Sequence, residues 1–133
     1  MKKSNITALY CRLSREDDRL DTSSSIEIQK QLLQRYAGEQ NLSNIRYYLD
    51  DGYFETNFDR PAFKQLLTDI DNTLIENIVV KDLSRLGRDY LATGYYIEHF
   101  FPINNVRFIA VNDQVDTQNR QNDLMPFKNI MNE

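Results

Sequence analysis

The sequence predicts a three-layer α/β domain, Rossmann-like, with a mainly parallel central sheet and helices on both faces. Three observations predict it. Apolar runs of strand length recur at Ile6–Ser14, Ile45–Leu49, Asn77–Lys81 and Val106–Val111. The segments between them place apolar residues at helical spacing. Strand–helix alternation of this kind implies parallel strands, because each crossover helix must lie on a face of the sheet. At 133 residues the chain fits one domain, 1–133, with enough length to bury a core.

The first run contains Tyr10-Cys11-Arg12-Leu13-Ser14. Side chains alternate along a strand, so Tyr10, Arg12 and Ser14 share one face and Cys11 takes the other, as a small buried hydrophobe. A cation and a hydroxyl closing a buried strand need partners. Arg15 to Thr22 is charged and aperiodic. Ser24 with Glu27 fits a capping box for a helix over Ile26 to Gln40, with Leu32, Leu33, Tyr36 and Ala37 on its apolar side. Asn41 and Asn44 bracket a turn before the second strand, and Asp50 to Phe58 reads as a polar loop. Asp59 is placed to cap the next helix, whose Pro61 suits a first turn and whose Phe63, Leu66, Leu67 and Ile70 recur at i, i+3, i+4 and i+7. The third strand, around Ile78-Val79-Val80, is the central one. After the charged segment Lys81 to Asp89, a helix runs from Tyr90 to Phe101 and is closed by Pro102. Asn112 to Asp123 reads as a polar, mobile loop.

Composition narrows the function. The 16 Lys plus Arg against 20 Asp plus Glu give a net charge of -4, the wrong sign for a self-sufficient nucleic-acid binder. A catalytic domain delivered to DNA by a more basic region stays compatible. No apolar stretch is long enough to span a bilayer. One cysteine and one histidine exclude a Cys/His zinc site, and a lone Cys11 agrees with a reducing, cytoplasmic setting.

The chemistry concentrates in two places. Leu83-Ser84-Arg85-Leu86-Gly87-Arg88 follows the third strand; if it opens a helix, Arg85 and Arg88 share a face. In a doubly wound sheet the first and third strands are commonly neighbours, which brings both arginines beside Arg12 and Ser14, and Arg60 can reach the same crevice. Four guanidiniums around one hydroxyl repel one another unless an anion sits among them, and the arginine fork suits phosphate. Ser14 is then a nucleophile toward a phosphodiester, without metal or other cofactor. His99, inside a helix elsewhere, offers no base.

These residues, together with Asp50-Asp51-Gly52-Tyr53 and Thr56-Asn57-Phe58-Asp59-Arg60-Pro61, resemble the resolvase/invertase family of serine recombinases, in order and spacing over essentially the whole chain. The resemblance is greatest to the large serine recombinases of transposons and other mobile elements. It implies a resolvase-like fold, with Ser14 forming a 5′-phosphoserine link to DNA. Arg12, Arg60, Arg85 and Arg88 are then the catalytic, DNA-contacting arginines, with Tyr10 and Gln29 supporting the site. Ser84 stands where smaller resolvases carry an aspartate, and Phe54-Glu55 where many relatives carry Ser-Gly. The family further implies DNA as partner, dimers assembling into a synaptic tetramer, a bacterial nucleoid-associated location, and a dimerisation helix of which 126–133 is the beginning, with DNA-binding domains beyond it.

Each residue also has a plainer role available. Ser14 can be a strand-end turn serine, Arg60, Arg85 and Arg88 solvated surface charges, Gln29 a bystander and Tyr10 a packing residue. Asp50, Asp51, Asp113 and Asp116 raise the thought of a Mg²⁺ site, but the arginine excess has the wrong charge for a cation. The alternative function is a non-catalytic module that binds anions or the DNA backbone.

Overall fold

The structure, a computed structural model, describes residues 5–13, 25–51, 60–87 and 89–118. Five strands form one sheet in the order β2-β1-β3-β4-β5. β1 (Ile6–Leu13) is flanked by β2 (Ile45–Asp51) and β3 (Ile75–Val80), and β4 (Arg107–Ala110) follows β3, all parallel. The neighbour relation of the first and third strands is as expected. Within Asn112–Asp123 the expected loop holds a fifth strand, β5 (Val115–Asp116), antiparallel to β4. Two-residue pairing is below any periodicity a sequence can display. The Arg107–Asp116 fork, at 2.9 and 2.7 Å, and the Thr117 hydroxyl accepting from Phe108 N hold it.

Helices cover both faces, because the β1 side chains alternate. Ile6, Ala8 and Tyr10 enter one core with Phe63, Leu66, Ile70, Ile97, Phe101 and Phe108. Leu9 and Cys11 enter the other, with Leu33, Ala37, Val79 and Ile109. The second face is closed by α1 (Ile26–Glu39), whose buried residues Gln29, Leu33 and Ala37 recur every four positions. Cys11 is fully buried there, and burial pushes its thiol up to about 12. Among the described residues, no helix is long and apolar enough to cross a membrane.

Several boundaries move from their sequence reading, each for a physical reason. The N-cap of α1 is Ser25, which accepts from Ile28 N at 3.2 Å; Ile28 therefore occupies the position a capping box reserves for Glu. Ser24 lies outside the described residues. β2 continues through Asp50 and Asp51, read from sequence as loop, because both remain paired with Arg12 and Leu13 of β1. The last helix, α3, runs as Tyr90–Tyr95, a π-helical turn Tyr96–Phe100, then Phe101–Ile103, so Pro102 does not close it. A proline inside a helix lacks a donor and crowds the carbonyl four residues back. Widening the preceding turn, with Phe101 N donating to Tyr96 O, accommodates it. Asn105, left-handed at φ 59°, makes the stop.

α2 (Pro61–Asp71) is tied to β2 by Asp69, which is buried and accepts from the Tyr48 hydroxyl at 2.6 Å and from Gln65 Nε2 at 2.9 Å. Burial, then the bond to Asp69, push the Tyr48 phenol up to about 12. The folded chain therefore holds this proton where an unfolded tyrosine, titrating near 10, releases it. Stability from this group is complete below about pH 10 and is lost as pH rises toward 12. Urea midpoints measured at about pH 8 and about pH 11 should fall further in the unsubstituted protein than in Tyr48→Phe.

Candidate active site

The crevice beyond the carboxyl ends of β1 and β3 is where an open α/β sheet presents its ligands. β3 leads there into a loop with one 3-10 turn, Leu83–Arg85, and not a continuing helix. Asp82 caps the turn by accepting from Ser84 N at 3.1 Å. Gly87 ends it at φ 150°, a backbone angle that L side chains rarely adopt. A Cβ there would also stand 3.5 Å from Arg60 Nη1. The loop is pinned from outside by Asp113, which accepts from Leu83 N at 2.7 Å.

Three arginines converge on this loop from three different elements. Arg12, at the end of β1, donates through Nε to Arg85 O at 3.1 Å and through Nη2 to Ser84 O at 2.6 Å. Arg85 returns the contact, Nη1 donating to Arg12 O at 2.8 Å, so the two clamp each other's backbones. Arg60 donates through Nη1 to Leu86 O at 2.6 Å. Three successive carbonyls thus accept from guanidiniums. Arg85 is 3% exposed despite its charge, and its Nε lies 3.4 Å from Asp82 Oδ1. The repulsion expected among clustered cations is offset here by backbone dipoles and one carboxylate.

Arg60 is not the surface charge its place beside a proline suggests. It is the N-cap of α2, left-handed at φ 53°, ψ 64°, although residues before proline favour extended backbone. Its guanidinium lies 4.1 Å from the Phe63 ring centroid and 5.9 Å from that of Tyr10. Its Nε and Nη2 are buried without a hydrogen-bond partner among the described residues. Such donors cost about 1–3 kcal/mol each, and backbone strain of this kind concentrates at functional sites.

Asp50 holds Arg60 in place, and sequence reasoning missed it. Only 2% exposed, it accepts from Ala62 N at 2.9 Å, from Phe63 N at 3.0 Å and from the Tyr10 hydroxyl at 2.7 Å. A strand residue thereby caps the helix that starts with Arg60, a job assigned from sequence to Asp59, which lies outside the described residues. The usable signal was that Asp50 falls opposite Arg12 once the first two strands are paired. Tyr10 spends its hydroxyl on Asp50, and burial holds its phenol well above the ordinary value. Gln29 is fully buried on α1 and grips Arg12 at both backbone groups, donating to its O at 3.0 Å and accepting from its N at 3.2 Å.

The structure therefore brings Arg12, Arg60, Arg85, Tyr10 and Gln29 together. Ser14, bonded to the last residue of β1, and Arg88 lie outside the described residues, as do Phe54, Glu55 and 126–133. The aspartates considered for a cation are dispersed: Asp50 caps α2, Asp113 holds Leu83 N, and Asp116 pairs with Arg107. His99 is exposed and stacks on Tyr95 at 5.9 Å.

The sheet gathers three arginines at its strand ends, the place where doubly wound α/β domains bind their ligands. The family model described as "Resolvase, N terminal domain" matches residues 7–132, and the chain belongs to that family, as a serine recombinase catalytic domain. Among solved structures, the N-terminal catalytic domain of TP901-1 integrase is 28% identical with a TM-score of 0.79, over 96% of this chain and 94% of that one. A resolvase family site-specific recombinase from Streptococcus pneumoniae is 21% identical with a TM-score of 0.77, over 98% and 87%. The C-terminal catalytic domain of ISC1926 TnpA, an IS607-like serine recombinase, gives 20% and 0.57, over 80% and 69%. The last two show likeness of fold. No curated protein sequence matches the chain.

Asp50→Ala should cost about 2–4 kcal/mol in urea unfolding, since it removes a helix cap and strands the buried Tyr10 hydroxyl. Tyr10→Phe, which leaves Asp50 both amides, should cost about 1 kcal/mol. Gly87→Ala should cost about 1 kcal/mol or more in urea unfolding, through its backbone angle.

Proposed function

We propose that this domain breaks and rejoins DNA by nucleophilic attack of Ser14 on a phosphodiester. The attack forms a 5′-phosphoserine link and frees a 3′-hydroxyl. One observation carries the reading: three guanidiniums, from β1, the N-cap of α2 and the loop after β3, are built into one crevice at the strand that leads to Ser14. The unpartnered Arg60 Nε and Nη2 add a reason for an anion to enter, since phosphate oxygens would satisfy them. Arg12, Arg60, Arg85 and Arg88 then hold the scissile phosphate and offset the charge that develops on it. Gln29 sets the Arg12 backbone, and Tyr10 acts through Asp50 on the placement of Arg60. The phosphoserine bond conserves the energy of the broken phosphodiester, so no ATP is needed, and the arginines offset the phosphoryl charge that a metal would otherwise offset. Exchange of two duplexes takes four nucleophiles, which makes the working unit a tetramer of paired dimers. The biological setting we propose is excision or integration of a mobile element in the bacterial cytoplasm.

The test uses the natural gene product carrying this sequence, in chelator, with nicked duplexes made from the DNA flanking its own gene. Cleaved protein–DNA species are trapped and mapped by peptide mass spectrometry. A nucleotide adduct on Ser14, absent in Ser14→Ala while duplex binding persists, is the expected result. An adduct on another residue, or a requirement for Mg²⁺, overturns the assignment. Tight binding with no adduct favours the anion-binding module.

A further inference from the structure

The other end of the sheet holds a cavity of about 530 Å³, a volume ordinary for a small-molecule site. It lies at the amino ends of β1, β3 and β4, away from the arginine crevice. Thr7 and Asn77, 1% and 7% exposed, are its most buried polar residues. Ile6 pairs with Ile75 but Thr7 with Asn77, so Glu76 is an extra residue, a bulge in β3. Bulges re-aim side chains beside functional sites. This one sets Asn77 opposite Thr7, and Asn77 Nδ2 donates to Thr7 Oγ1 at 3.1 Å. Neither side chain makes another hydrogen bond among the described residues. The Asn77 carbonyl is left as an acceptor, and the Thr7 hydroxyl keeps its proton to donate. Stability alone does not call for such a pair, since apolar residues of the same shape serve at least as well.

The geometry points to a binding site here for an uncharged molecule with a cyclic amide edge, the chemistry of a pyrimidine nucleoside. A donor beside an acceptor on the protein matches a C=O beside an N–H on the ligand. An ordinary peptide unit is trans and sends these two groups to opposite edges. A ring lactam fixes them on one edge. Leu42 and Pro102 add apolar surface to the lining for the ring. Charge selects against a phosphate: the Arg107 fork is taken by Asp116, and Glu76 brings a carboxylate to the lining. The site uses none of the arginines of the crevice, so it stands or falls independently of the preceding proposal.

The test is calorimetric titration of the natural gene product carrying this sequence, freed of nucleic acid. The probes are uridine, 3-methyluridine, uridine 5′-monophosphate and cyclo(Gly-Gly), which carries the same edge without a sugar. Uridine should bind at least about tenfold more tightly than 3-methyluridine, whose ring lacks the N–H. The monophosphate should bind no tighter than uridine. Thr7→Val combined with Asn77→Leu should keep or raise the urea midpoint and weaken uridine at least about tenfold. Cyclo(Gly-Gly) separates the sources of the edge: tighter binding than uridine makes the ligand a cyclic peptide amide, weaker binding a nucleoside. Failure of both to bind overturns the inference, as does equal affinity for uridine and its 3-methyl analogue. Unchanged affinity in the folded double variant also overturns it, and so does tighter binding of the monophosphate, which would place the ligand among the arginines. The analogue comparisons use the unsubstituted protein and decide the matter whether or not the double variant folds.

Discussion

Guanidinium donors resting on backbone carbonyls are the contacts on which the site depends. Ser84, Arg85 and Leu86 each lend a carbonyl to an arginine from a distant element, and Arg12 and Arg85 exchange carbonyls with each other. Concentrating cations in a crevice is expensive, and side-chain carboxylates at every arginine would neutralise the crevice's positive charge. Carbonyl dipoles hold the guanidiniums without cancelling them. The short turn after β3 is suited to this: Ser84 O accepts from Gly87 N at 3.2 Å and still takes the Arg12 guanidinium on its second lone pair.

The same economy governs the support beneath the arginines. Asp50 joins β1, through Tyr10, to the first turn of α2, and Gln29 ties α1 to Arg12. The sheet and the helices on both its faces therefore converge on the ends of β1 and β2. The fold is not a neutral scaffold with a site added to its rim; the sheet register decides which arginine meets which carbonyl.

Much of this was legible in the sequence, where long-range order reduced to local pattern. The apolar runs located β1, β3 and β4, helical spacing located Leu33 and Ala37 in α1 and Phe63, Leu66 and Ile70 in α2 as buried, and the neighbour relation of β1 and β3 brought Arg12 and Arg85 together. What escaped depended on partners distant along the chain. Asp50 looks like the start of a polar loop until Tyr10 and the α2 amides are placed around it. Arg60 looks solvated until Phe63 and Leu86 enclose it. Pro102 looks like a stop because the widened turn before it has no signature in residue type. β5 is held by the Arg107 fork on its own Asp116 and by Thr117, contacts that a two-residue strand does not show in its sequence.

The Arg12–Arg85 clamp joins positions 73 apart in the chain. At cellular synthesis rates of about 5–20 residues per second, β1 waits roughly 4–15 s before the loop that receives Arg12 exists. Until then the chain can build α1 and pair β1 with β2, but it has no arginine cluster. The arrangement thus becomes possible only once residue 85 has been made, well after the β1–β2 pairing. A nascent or interrupted chain therefore carries Arg12 without the carbonyls that hold it, and the arginine cluster arises only once β3 lies beside β1.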